Sequence, residues 1–275
     1  EVDLETKDTK QRKQDNENYD SDNFSDDEKQ LLETTFVEVN DFDSKENDYL
    51  LFGTFGNASG FLKTALYEEI KKNGSAFKGK FMQWKPEEKA KPKKLVAELY
   101  QFKYGSQYAL VVLPKETLSK QNYKYLTDFI LNAKSSDNKL SVKQVVCFDS
   151  KYYNDYIKEG EKDSLKEKLF VLRGKMQERV NQMIRGEEFP MFNGIAGFSA
   201  YLLTKSESLG LPCVVYQAAH TEYECCLKNL KIFDGCSVSY PFLRKKLDDD
   251  KIKEITIGVN QLLKEFNSYK NSIYS

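Results

Sequence analysis

Four apolar runs of strand length set the terms of any fold for this chain: YLLFGTF (49–55), YALVVL (108–113), VKQVVCF (142–148) and PCVVYQA (212–218). YALVVL is apolar at nearly every position, as central strands covered on both faces tend to be. Helical spacing follows the first run at Phe61, Leu62, Ala65, Leu66 and Ile70. It follows the second at Leu118, Tyr125, Leu126, Phe129 and Ile130, in a helix starting at Lys115 or Thr117 and running to about Ala133. A third helix enters through Asn193-Gly194-Ile195-Ala196-Gly197 and ends near Ser208, stopped by Gly210 and Pro212. Strands alternating with helices of this length predict an α/β fold, a largely parallel central sheet flanked by helices on both faces.

The 275 residues leave room for one large α/β domain or two small ones. Residues 1–48 are mostly Asp, Glu, Asn, Lys and Ser, and DNENYDSDNFSDDE (15–28) has two aromatics and no aliphatic residue. Such a stretch buries too little apolar surface to offset its ordering entropy. It reads as an acidic, mostly disordered arm, of which Leu31 to Val39 can fold back as an edge strand. The single α/β domain then spans 49–266. A basic run from Lys85 to Lys94, broken by Pro86 and Pro92, reads as a solvated hairpin tip rather than a phosphate contact. Strands are expected from Leu95 to Phe102 and again at Tyr108, around a turn at Tyr104-Gly105-Ser106. Within 150–188 a short strand at Leu169 to Leu172 is expected, with Met176 to Ile184 a helix or part of an insertion.

Charge and cysteine usage narrow the function classes. Acids and bases nearly cancel, at net −1, so no overall field recruits nucleic acid or an anionic membrane. No apolar run reaches the ~18 residues that a membrane helix needs, and the charged N-terminus lacks a signal-peptide pattern. Five cysteines, at 147, 213, 225, 226 and 236, are odd in number and lack zinc-knuckle spacing. That pattern suits reduced thiols in a cytosolic or nuclear protein.

Candidate chemistry is sparse. Gly53, Gly56 and Gly60 give GxxGxxxG rather than the GxGxxG of a dinucleotide fold, with Asn57 as the expected helix N-cap, and no Walker A loop exists. His220, the only histidine, follows a strand end, so a Cys–His pair with Cys213, Cys225 or Cys226 is conceivable. Cys225-Cys226 are expected within a helix, with Glu222 and Glu224 opposing thiolate formation, and structural cysteines are the better reading. Asp248, Asp249 and Asp250 are explained by helix capping. The reading is of a protein without catalytic, metal-binding or cofactor-binding residues.

The last helix is the clearest. Ile252, Ile255, Val259, Leu262, Leu263 and Phe266 form one apolar stripe, with acids at its start and Lys264 and Lys270 toward its end. Residues 267–275 read as a flexible tail ending in Ile273-Tyr274-Ser275. An apolar residue, a tyrosine and a terminal carboxylate form a compact docking plug: Ile273 fills a pocket, Tyr274 adds a ring and a hydroxyl, and Ser275 carries the carboxylate. A frayed end is the plainer reading of those three residues alone.

Three stretches together resemble the family of proteasome assembly chaperone 1, the larger partner of the heterodimer that escorts assembly of the proteasome α-ring. They are the strand-turn-helix from Tyr49 into Phe61, the helix from Gly194 leading into GLPCVVY (210–216), and the ending KNSIYS (270–275). The resemblance implies a non-enzymatic α/β fold, pairing with a second assembly chaperone, and insertion of Ile273, Tyr274 and Ser275 between adjacent proteasome α subunits. It leaves the acidic arm and residues 150–188 unexplained. Two alternatives stand beside it: the second chaperone of the same pair, and an enzyme on a nucleoside-phosphorylase-like α/β scaffold.

Overall fold

Apolar runs of this kind need backbone partners on both edges and cover on both faces. A computed structural model of the chain describes residues 35–39, 47–72, 77–83, 94–118, 120–131, 142–155, 166–179, 184–190, 193–244 and 248–273. The strands are β1 (Thr35–Val39), β2 (Asn47–Gly53), β3 (Phe77–Gln83), β4 (Lys94–Tyr104), β5 (Gln107–Pro114), β6 (Val142–Tyr152), β7 (Lys168–Arg173), β8 (Glu187–Glu188) and β9 (Cys213–His220). The helices are α1 (Asn57–Ala65), α2 (Tyr67–Lys72), α3 (Lys120–Leu131), α4 (Gly197–Ser208), α5 (Leu227–Lys231) and α6 (Asp249–Ile273).

Among the described residues one sheet forms, in the order β1-β3-β4-β5-β2-β6-β9-β7-β8. Its centre, β5-β2-β6-β9, is the four apolar runs, all parallel, with Leu50 beside Leu110, Leu51 beside Val146 and Cys147 beside Val215. Side chains alternate between faces along each strand. Leu51, Val146, Phe148 and Tyr216 face a layer made by α1, α5 and α6, where Phe61, Phe233 and Val259 are buried. Leu50, Phe52, Cys147 and Val215 face α3 and α4, meeting Leu126, Ile130, Phe198 and Leu202. The fold is therefore three-layered α/β, as the apolar runs predict.

Outside the parallel block β1 pairs antiparallel with β3, β3 with β4, β4 with β5, and β7 with β9, while the short β8 joins β7 parallel. β3 was not legible in the sequence, whereas the edge strand expected within 31–39 is present as β1. Residues 1–34 and the basic run at 85–93 lie outside the described residues. Of the ambiguous stretch 176–184, residues 180–183 lie outside the described residues, and Lys175–Arg179 forms a short 3-10 turn.

The glycines of GxxGxxxG serve packing. Gly56, not Asn57, flanks the start of α1, with φ 105°, a conformation that favours glycine. A Cβ at Gly60 would lie 2.7 Å from the Cys225 sulfur, so this glycine lets the 221–226 loop close onto α1.

Phe61 is fully buried, with its ring stacked 4.9 Å from Phe233 and tilted 50° against Phe148 at 5.5 Å. Phe61→Ala should lower stability by about 3–5 kcal/mol. Ile257→Ala, at a position 59% exposed, should change it by no more than about 0.5 kcal/mol. Urea unfolding of the two variants beside the parent checks both values.

Candidate functional site

In an open α/β sheet, ligand crevices form past the carboxyl ends of strands where the strand order reverses. Here the chain passes from β2 outward to β5, then returns to place β6 on the other side of β2, so the reversal lies between β2 and β6. Thr54 follows β2, its N–H donating to the Phe148 carbonyl at 2.9 Å, and Asp149 sits beside it on β6. The Asp149 carboxylate gathers the surrounding elements. Oδ1 accepts from Thr54 Oγ1 at 2.7 Å and from the Ser150 N–H at 2.8 Å. Oδ2 accepts from Ser199 Oγ at 2.6 Å and, more weakly, from Gln217 Nε2 at 3.4 Å.

Ser199 lies in the first turn of α4, where a helix N-terminus favours a negative charge. Tyr123 of α3 stands at the same helix start, its hydroxyl 3.3 Å from where a Gly197 Cβ would lie. Burial, then the Asp149 charge, raises the Tyr123 phenol above its ordinary value, and a hydrogen bond with the Phe198 backbone opposes them. A cavity of about 210 Å³ opens beside this cluster. With each carboxylate oxygen accepting two hydrogen bonds, Asp149 ties together β2, β6, β9 and α4. Sequence reasoning passed over Asp149. Its only sequence signal was an acid directly after an apolar strand.

His220 ends β9 and is 8% exposed. Its Nδ1 lies 2.7 Å from the Glu222 carbonyl oxygen, which only accepts, so Nδ1 carries the proton and Nε2 the lone pair. Burial lowers its pKa below the ordinary histidine value, with the Glu222 hydrogen bond opposing. The Cys–His reading finds no support in the geometry. Cys225-Cys226 lie in the loop before α5, not inside a helix, and the Cys225 sulfur is turned onto α1. Burial pushes the Cys213 thiol up to about 12 and raises those of Cys147 and Cys236 well above the ordinary range, leaving them protonated. Among the described residues no group of three His, Cys, Asp or Glu is placed to hold a metal ion.

The last helix is the other candidate. Asp248 Oδ1 accepts from the Lys251 N–H at 2.8 Å and caps α6, and Asp249 and Asp250 follow in the first turn. Ile252 and Val259 are buried and Leu263 partly so, which bears out the stripe and lays α6 across α1. Asn260 adds a two-point clamp that the sequence did not advertise. Its Oδ1 accepts from the Cys225 N–H at 2.7 Å, and its Nδ2 donates to the Cys225 carbonyl at 2.9 Å.

Backbone helix continues to Ile273, beyond the end expected at 266. The polar segment Asn267 to Ser272, expected as a flexible lead, is thus helical. It contains no glycine or proline, and a helix already nucleated on the core extends at little further entropic cost. Ile273 therefore stands about 15 Å along the axis from Leu263, and Tyr274 and Ser275 lie outside the described residues.

No protein-family model matches this chain, and no curated protein matches it. Solved structures do. One is a protein of unknown function from Thermoplasma acidophilum, with TM-score 0.55 and 13% identity, covering 84% of this chain and 92% of its own. Another is Pyrococcus furiosus PbaA, described as an archaeal homolog of proteasome-assembly chaperone, with TM-score 0.54 and 12% identity, covering 87% of this chain and 100% of its own. A third is P. furiosus PbaB, described as an archaeal proteasome activator, with TM-score 0.52 and 12% identity, covering 84% of this chain and 98% of its own. At such identities the likeness establishes a shared fold.

Asp149→Ala should leave the Thr54 hydroxyl without its acceptor and the Ser199 hydroxyl with the Ala196 carbonyl alone, and cost about 1.5–3 kcal/mol in a denaturant titration. His220 makes a separate prediction. The native chain holds it neutral, while the unfolded chain takes up a proton near the ordinary value. Its contribution to stability is therefore whole above about pH 6.5 and is lost as pH falls toward the lowered native pKa. Unfolding midpoints at about pH 7.5 and about pH 5.5 should diverge less in His220→Gln than in the parent.

Proposed function

We propose that this chain is a proteasome assembly chaperone. In this reading it pairs with a second chaperone, binds the α-ring of the proteasome core particle and inserts its C-terminal tail between adjacent α subunits. The observation that supports the reading is a fold shared with PbaA in which α6 runs to Ile273, the residue that Tyr274 and Ser275 follow in the sequence. No catalytic step is invoked, since Asp149, His220 and the buried cysteines are engaged in holding the fold. In this reading the protein works in the cytoplasm and also in the nucleus, which the unpaired thiols support.

Ile273 supplies apolar burial, worth about 1.5–3 kcal/mol if complete. Tyr274 adds ring packing and one hydrogen bond of about 0.5–1.5 kcal/mol net. In a chain that ends at Ser275, the carboxylate pairs with a lysine of the receiving pocket in a charge-assisted contact. A helical lead improves on a flexible one, because segment 267–272 is ordered before docking and less entropy is lost on binding. The three residues are too few to provide the whole affinity, so the body of the chaperone pair contributes the remaining contact area.

The likeness to PbaB favours one further reading, a proteasome activator that docks on the same ring. Both readings use the tail, and peptide hydrolysis by assembled core particles separates them.

The test is recovery of α-ring intermediates with the parent chain, a truncation lacking residues 273–275, and an extension by one residue after Ser275. Each is compared at matched levels of the co-expressed second chaperone. Truncation and extension should both reduce α-ring recovery at least tenfold, the ratio that ~1.4 kcal/mol represents, while sparing the heterodimer. Equal recovery from all three would remove the tail from the mechanism.

A further inference from the structure

A second cavity, of about 440 Å³, lies between the ends of β6 and β9 and the C-terminal half of α6. Its size falls within the range of small-molecule sites, ~300–1,000 Å³. Three features define what it fits. The first is an aromatic wall: Tyr223 stacks on Tyr152, ring centroids 4.2 Å apart and planes 22° apart. Tyr223 nevertheless remains 73% exposed, so most of a ring held flat by its neighbour is open to a visitor. The second is His220, which is more than nine-tenths buried and lines the same cavity. With Nδ1 committed to the Glu222 carbonyl, the remaining ring nitrogen offers a lone pair, and a ligand must donate a hydrogen bond to use it.

The third is charge balance. Two cations, Lys151 and Lys264, and two acids, Asp155 and Glu224, line the cavity, so neither an anion nor a cation is favoured. Leu263 of α6 supplies apolar cover across from the rings.

The geometry points to a binding site for a planar, uncharged heteroaromatic molecule of nucleoside size, stacked on Tyr223 and donating an N–H to His220 Nε2. Asp155 and Glu224 line the same cavity, and carboxylates there accept from hydroxyl groups on such a ligand. The site involves no covalent step. It is separate from the proposed tail docking, since no residue of the cavity belongs to 265–275.

Adenosine is the probe, titrated into the full 275-residue chain. His220 is the only histidine, so its ring-proton NMR resonances are unambiguous reporters. Adenosine should bind saturably at one site and shift the His220 Cε1 proton. Tyr223→Ala, at a position too exposed to endanger folding, should weaken binding about tenfold, as loss of one stacking partner does. Adenosine monophosphate should bind no more tightly than adenosine. An unmoved His220 resonance at saturating adenosine, or equal affinity in Tyr223→Ala, would overturn the site. Much tighter binding of the monophosphate would overturn the uncharged-ligand assignment. His220→Leu should abolish binding if it folds. If it does not, the histidine resonance in the parent chain still decides the matter.

Discussion

Everything in this molecule depends on covering the parallel block β5-β2-β6-β9 on both faces. A strand such as Leu110 to Leu113 has no polar side, so neither face tolerates water, and helices must lie above and below it. The connections between the parallel strands supply α1, α3 and α4, and the chain after β9 supplies α5 and α6. The same requirement pushes the strands of mixed polarity, β1, β3, β4, β7 and β8, to the flanks of the sheet. They pair antiparallel there, apart from the short β8.

The cover on the α1 side is built by close approach. Gly56 lets the chain turn sharply out of β2, and Gly60 lets the Cys225 loop lie against α1. That loop is in turn held to α6 by the Asn260 clamp. Asn229 tightens it from the other direction, donating to the Glu222 and Glu224 carbonyls at 2.8 and 2.9 Å. A glycine-bearing turn after the first parallel strand, which in a nucleotide-binding protein faces phosphate, is here spent on protein contacts. Polar groups at the carboxyl end of the sheet are treated in the same way. Asp149 accepts from four donors, so the end of the sheet where folds of this kind place their crevices is here also a joint between elements.

A joint of this kind has a mechanical consequence. α6 is fixed at its start by the Asp248 cap, in its middle by Ile252 and Val259, and beyond them by Asn260. Helical backbone then carries Ile273 to a definite distance from the core. A tail presented this way has a direction as well as a sequence. For the proposed docking, that turns a three-residue plug into one projected from a rigid body.

The sequence by itself determined the α/β class, the four central strands, the edge strand within 31–39, the α4 helix and the stripe of α6. Each rests on a run or a periodicity in which the burial of neighbouring residues is written locally. It also carried the residues of the tail, whose chemistry is a property of Ile273 and Tyr274 themselves. Only the tertiary structure decided the rest. β3 was invisible because a strand such as FKGKFMQ, with a glycine and two lysines, owes its state to the partners β1 and β4 rather than to its own pattern. Cys225 and Cys226 read as helical until Asn260, 35 residues away, claimed the Cys225 backbone. The Asp149 tie joins Thr54, Ser199 and Gln217, separated from it by 95, 50 and 68 residues, and no local pattern encodes such a meeting. The pairing of Tyr152 with Tyr223 beside His220 has the same origin: the ends of two parallel strands become neighbours only once the sheet has formed.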